Sequence, residues 1–295
     1  MSGPRPVGAL IVFGAVAAGA SLLGWQYSRA RTTREVLFAE LTPVQLANCE
    51  VDRYGDANDG GYLLCRNLMG QAQAAYSYGI DGHDEWGCEV ARELSIPLHQ
   101  YDCFNTTAPS CPGISAFFNA ACVGPGSDII DGRRFGTIGE HVAKNGDTGK
   151  PLLMKVDVEG SEWASFLATP DAVFRDVEQL AVEFHGIDDP RSVDVVRRLK
   201  QFFYVANIHI NNYSCSPGYE PFPGEVFEVL FVAKRLAEVA PAPRESRHHP
   251  LDAPNAATLP DCQGEAAPTS GYTSFNLWVR RFVRRTIFGS PFAGF

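Results

Sequence analysis

The sequence predicts an α/β domain on a doubly wound, mostly parallel sheet. Three observations carry this. Seven short apolar segments recur between residues 74 and 232, interleaved with stretches of helical spacing. The most apolar, Leu152–Val158, reads as a buried strand. Several of these strands end in polar groups, Asp102, Asp157 with Glu159, and Glu183 with His185, as in open α/β sheets that bind ligands beyond their strand carboxyl ends.

Taken in order, the chain opens with a six-residue tip, residues 1–6. Val7–Trp25 contains no charge, just long enough at helical rise to cross a bilayer core, with Trp25 and Tyr27 suited to its interface. Residues 7–27 are read as a transmembrane signal anchor. The competing reading is a cleavable signal peptide cut near Ala18-Gly19-Ala20. Arg29, Arg31 and Arg34 after the span place the body in the cytosol by the positive-inside rule. The eight cysteines and the sequons at Asn105 and Asn212 favour the opposite side. The protein is therefore expected on a membrane as a single-pass chain of the endomembrane system, its side open. Residues 28–50 form a juxtamembrane segment and a short amphipathic helix.

The domain is assigned to residues 51–235. Asn58-Asp59-Gly60-Gly61 is a turn of hairpin type. Ala74–Tyr78 is the first core strand, followed by the glycine turn Gly79-Ile80-Asp81-Gly82 and a helix capped by Asp84. Neither a dinucleotide GxGxxG nor a GxxxxGK[ST] loop is present, which weighs against NAD and ATP. Asp102 follows the glycine turn by about twenty residues, the spacing of a ribose-binding acid. An apolar strand over Phe117–Gly124 and a helix around 136–145 lead to Leu152–Val158. The strand Gln179–His185, a charged helix over 190–201, and a closing antiparallel pair, Phe203–Asn212 with Val226–Val232, complete the sheet. Residues 236–274, rich in Pro, Ala and Ser, are read as a disordered linker. Residues 275–295 form a basic amphipathic segment suited to an anionic lipid surface or to docking on the domain.

The net charge of -9 argues against nucleic-acid partners. None of Cys49, Cys65, Cys88, Cys103, Cys111, Cys122, Cys215 and Cys262 forms a CxxC pair, which argues against a zinc ribbon. The even count permits disulfides, and several cysteines read equally well as small core residues.

Asp59-Gly60-Gly61-Tyr62, Ser77-Tyr78-Gly79-Ile80, Asp102, Lys155-Val156-Asp157-Val158-Glu159-Gly160-Ser161-Glu162 and Glu183-Phe184-His185 occur in one order. Together they resemble the class I S-adenosylmethionine-dependent methyltransferases, closest to the FkbM-type and methyltransferase-like group. The Lys-x-Asp-x-Glu-Gly-x-Glu string is the specific part. The resemblance implies a Rossmann-like, seven-stranded sheet and S-adenosyl-L-methionine as cofactor. It implies that Tyr78, Gly79, Ile80 and Gly82 cradle the methionine end, that Asp102 holds the ribose, that Asn119 lies near the adenine, and that Asp157 sits beside the sulfonium and acceptor.

Methyl transfer to an alcohol needs a base or a Lewis acid. His185 is the candidate base, with Asp157 beside it. Alternatively Asp157, Glu159, Glu183 and His185 gather Mg2+ or Mn2+. His209 and Asn211 border the same edge. The expected function is a membrane-anchored O-methyltransferase acting on a sugar, glycan or small metabolite. The alternatives are a catalytically silent binding module tethered to a membrane and, more weakly, a glycosyltransferase using Asp157 and Glu159 on a metal.

Overall fold

The computed structural model describes residues 7–262 and 271–288, with side chains from 21–262 and 273–282. In chain order the elements are α1 (Val7–Glu40), β1 (Val51–Gly55), β2 (Gly61–Cys65), β3 (Ala74–Tyr78), α2 (Glu85–Leu94), β4 (Leu98–Tyr101), β5 (Ala116–Asn119), β6 (Cys122–Val123), β7 (Ile129–Ile130), β8 (Arg133–Gly136), α3 (Ile138–Lys144), β9 (Leu152–Val156), α4 (Glu162–Ala168), α5 (Asp171–Asp176), β10 (Val177–Phe184), α6 (Ser192–Phe202), β11 (Phe203–Ile210), β12 (Phe227–Ala233) and α7 (Gly271–Phe288).

The seven-stranded sheet runs β11-β12-β10-β9-β3-β4-β5. β12 alone is antiparallel to its neighbours; the other pairings are parallel. The order reverses beside β3, so the crevice of an open α/β sheet falls between the ends of β3 and β9. Alternation along each strand sends side chains to two cores. Tyr76, Met154 and Val182 join Leu37 and Phe184 on one face. Ala75, Leu153 and Ala181 meet Tyr62, Leu64 and Trp86 on the other. The β1–β2 hairpin, expected from its Asn-Asp-Gly-Gly turn, covers this second face with register Tyr54 to Tyr62.

Local chemistry sets the helix starts. Asp84 caps α2 by accepting from Gly87 N at 2.9 Å. Thr137 and Glu140 close a capping box on α3. The apolar segment expected over Phe117–Gly124 divides. Ala116–Asn119 forms the sheet edge, while Cys122–Val123 turns away to pair with β8; the chain leaves the ladder at Ala120 and Ala121, where Ala121 N donates back to Asn119 O at 2.8 Å.

The structure departs from the sequence reading at several points. The short helix placed within residues 28–50 is the end of one continuous α1, which runs to Glu40; Leu41–Glu50 is non-helical. The span expected over 7–27 lies within α1, its side chains before residue 21 being outside the described ones. No described helix is long and apolar enough to cross a membrane.

The segment read as a disordered linker is a packed strap from Leu236 to Cys262; residues 263–270 lie outside the described ones. It bridges Val239 to Leu46, and Asn207 donates to Asp252 at 2.7 Å. Specific hydrogen bonds order a stretch whose composition alone supplies no core. Of the two readings of the basic tail, docking on the domain is the one seen as far as the tail is described. Tyr27 meets Phe275 and Trp278 edge-on, and Arg281 lies over the Tyr219 ring. Residues 289–295, like 1–6, are outside the described chain.

All eight cysteines are paired, as Cys49–Cys65, Cys88–Cys111, Cys103–Cys122 and Cys215–Cys262. The reading as unpaired core residues therefore falls. Asn212 is buried; its amide donates to Ala256 O and Leu259 O at 3.0 Å, and its carbonyl accepts from Ala256 N at 2.7 Å. A glycan there is incompatible with this packing.

The Cys215–Cys262 bond closes a loop across a separation of 47 residues. Cys262→Ser is expected to lower the unfolding free energy by about 2–4 kcal/mol, measured as a shift of the urea midpoint. An unchanged midpoint would mean that the strap's hydrogen bonds hold it alone.

Candidate active site

The carboxyl ends of β3, β4 and β9 open on a cavity of about 490 Å3. Gly79 leaves β3 at φ +70, and a Cβ there would come within 1.5 Å of Asp157 O. No side chain fits, so the turn passes directly against the end of β9. Gly79 N donates to Tyr101 O at 2.9 Å and Asp157 N to Tyr78 O at 3.1 Å, stitching the three strand ends together.

Of the residues expected to hold a cofactor, Tyr78, Gly79, Asp102 and Asp157 line this cavity. Three others do not. Ile80 N instead donates to Asp102 Oδ2 at 3.0 Å. Gly82 packs on the Asn105 amide. Asn119 donates to Phe117 O at 3.1 Å and borders the neighbouring cavity.

Asp102 has a larger task than expected. Its Oδ2 accepts from Ile80 N and Asp81 N at 3.0 and 2.8 Å, and its Oδ1 from Phe104 N and Asn105 N at 2.8 and 3.0 Å. The carboxylate braces the glycine turn and the loop after β4, with the Cys103–Cys122 disulfide fixing that loop on the cavity wall. Ribose hydroxyls would share oxygens already occupied by backbone donors.

Beyond β9, Glu159 adopts φ +55, a conformation that β-carbon sterics disfavour. A fully buried carboxylate maintains it. Glu162 accepts from Val158 N at 3.0 Å and Gly160 N at 3.0 Å, and its Oε1 lies 3.0 Å from His185 Nδ1. The other imidazole nitrogen lies 3.4 Å from Glu159 and 3.7 Å from Glu183. Burial opposes a charge on His185, but the hydrogen bond and charge of Glu162, with those of Glu183 and Asp157, outweigh it and raise the pKa to about 10. At neutral pH His185 is thus a cation and proton donor, not the free base expected of it.

Glu183 is buried at the end of β10. It accepts from Asn211 Nδ2 at 2.8 Å, and the Tyr62 hydroxyl lies between Glu183 Oε2 at 3.4 Å and Asp157 Oδ2 at 3.2 Å. Burial, then the charges of Asp157 and Glu228, raise its pKa well above the usual carboxyl value. Lys155 lies 3.3 Å from Asp157 Oδ2. His209 turns to Glu228 and Asp261, at 3.4 and 3.6 Å.

For a cation, Asp157, Glu159 and His185 each offer one ligand atom, all within 4.8 Å of one another. Glu183 stands outside that triple, occupied by Asn211 and Tyr62. Sequence reasoning named Asp59, Tyr62 and Glu162 only as parts of motifs and gave them no place in the site. Tyr62 and Asp59 belong to a hairpin that is remote in sequence. Glu162 stands in the first turn of α4, where an acid suits the helix dipole on local grounds alone.

The folded-state pKa of His185 lies above the ~6.5 of an unfolded histidine. Its stabilisation is therefore complete below about pH 6.5 and lost as pH rises toward about 10. The urea midpoint of the wild type is expected to fall across that window more steeply than that of His185→Gln; parallel curves would show that the imidazolium contributes nothing. No protein-family model matches the sequence, and no curated protein matches it.

Proposed function

We propose that the protein is an S-adenosylmethionine-dependent methyltransferase acting on an oxygen of a sugar, glycan or small metabolite. One observation carries the reading. Among the described residues lining the cavity are Asp59, Asp81, Asp102, Asp157 and Glu159, and no Lys, Arg or His. Such a wall repels a nucleotide diphosphate and attracts a cation. S-Adenosylmethionine bears a sulfonium and an ammonium on an adenosine. Tyr101, Phe104 and Phe135 supply apolar surface at the end nearest Asp102, which suits a purine.

The cofactor supplies an activated methyl group for in-line displacement. The chain has then to position and desolvate the acceptor. Asp157 stands where strand, glycine turn and acidic cluster meet. Tyr62 and Lys155 fix its carboxylate. Glu183 and Asn211, joined at 2.8 Å, would orient hydroxyl groups at the same edge. His185 cannot accept the acceptor's proton while it carries its own. A divalent cation on Asp157 and Glu159 would displace that proton, since imidazole ligates in its neutral form. Mg2+ or Mn2+ would then supply a Lewis acid, with His185 as a ligand.

The apolar run within residues 7–27 supports a single-pass membrane anchor. Four disulfides favour an oxidising lumen for the domain. That placement outweighs the arginines after the span, whose vote is a bias of orientation.

Calorimetric titration of the full chain with S-adenosylmethionine and S-adenosylhomocysteine, with and without Mg2+ or Mn2+, tests the reading. Micromolar binding is expected. Asp102→Ala should weaken it by about 1–3 kcal/mol through release of the glycine turn. Absence of binding by folded protein would leave a membrane-tethered binding module as the better account.

A further inference from the structure

We propose that Asp59, clamped by Asn255 of the carboxy-terminal strap, binds the ammonium group of the cofactor's amino-acid end, so that the strap completes the site. The proposal rests on the cofactor reading above and adds a residue and an element to it.

The cavity has two chemically distinct ends. Adenosine seated against Tyr101, Phe104 and Phe135 beside Asp102 would direct its amino-acid chain past Gly79 toward Asp59, Asp157 and Glu159. Two of these three acids already have a basic side chain beside them. Lys155 lies 3.3 Å from Asp157, and His185 lies 3.4 Å from Glu159. Asp59 has no cationic partner among the described residues. Its Oδ1 accepts only the uncharged Asn255 amide, at 3.0 Å. A carboxylate held in place with its charge uncompensated is the one best able to take a ligand's ammonium.

The clamp is built from residues nearly two hundred positions away. Asn255 is 3 % exposed. Its amide bridges Asp59 Oδ1 and Glu228 Oε1, the latter at 2.7 Å, while its backbone carbonyl accepts from Asp59 N at 3.3 Å. Asn58 Nδ2 donates to Pro254 O at 2.7 Å. The turn before β2 is thus fixed on both sides by the strap, and the strap by Asn212 and the Cys215–Cys262 bond. Asn255 acts through Asp59 as a positioning residue.

The test compares three probes on the full chain: S-adenosylmethionine, S-adenosylhomocysteine, and 5′-methylthioadenosine, which lacks the amino-acid chain. Asp59→Asn should weaken the first two about tenfold, the loss of one charge-assisted contact, and leave methylthioadenosine within about twofold. Asn255→Ala should reproduce the pattern at smaller amplitude. Thermal unfolding of each variant reports whether it is folded. Because Asp59 is exposed, Asp59→Asn keeps the test valid if Asn255→Ala fails to fold. Equal weakening of all three probes, or no change in any, overturns the proposal while leaving the cofactor reading standing. A wild type that binds none of them sinks both.

Discussion

Glu162 is wholly buried, and its carboxylate meets Val158 N, Gly160 N and His185 Nδ1 at 3.0 Å. An ion out of water is costly unless every oxygen is used. Here the partners are the turn that follows β9 and the residue that follows β10. The bend at Glu159 and the charge on His185 both follow from this one group. Without it, two backbone donors and an imidazolium would be left with less than their full complement of acceptors beside the cavity.

The same economy of buried polar groups extends across the carboxyl edge of the sheet. Asp102 holds four backbone N–H groups and thereby the glycine turn. Glu183 is shared by Tyr62 and Asn211. Glu228, brought to this edge because β12 runs antiparallel, connects His209 to Asn255. The site and the strap are therefore one hydrogen-bonded layer. An acidic cavity would otherwise push its own walls apart; the Cys103–Cys122 disulfide holds a loop that lines it, and Cys215–Cys262 holds the strap.

That layer also separates two kinds of work done by acids that look alike in sequence. Asp102 and Glu162 are saturated by backbone and imidazole donors and act as braces. Asp59, Asp157 and Glu159 face the cavity. The distinction is one of partner count, and partners come from hairpin, strap and sheet together. His185 shows the consequence: a histidine at a strand end suggests a base, but three acids around it make it a cation.

How much was legible depended on the range of the interactions. The sheet, its central strand Leu152–Val156, the β1–β2 hairpin and the Asp84 cap were legible because apolar period, turn residues and caps act within a few residues. Asp102 and Asp157 were legible as acids at strand ends, which converge in an open α/β sheet, and Tyr78 and Gly79 through the family resemblance; all four line the cavity. The strap, the four cysteine pairings and the parts played by Glu162, Tyr62 and Asn255 were not legible, and the docking of α7 was legible only as one of two alternatives. Each depends on a hydrogen bond, a disulfide or an aromatic contact between residues far apart in the chain. The sequence by itself determined the strands, their order of appearance and which acids end them. Only the tertiary structure decided which carboxylates are spent on the backbone and which keep a free charge. Burial and partner geometry set that balance, and neither exists until distant segments meet.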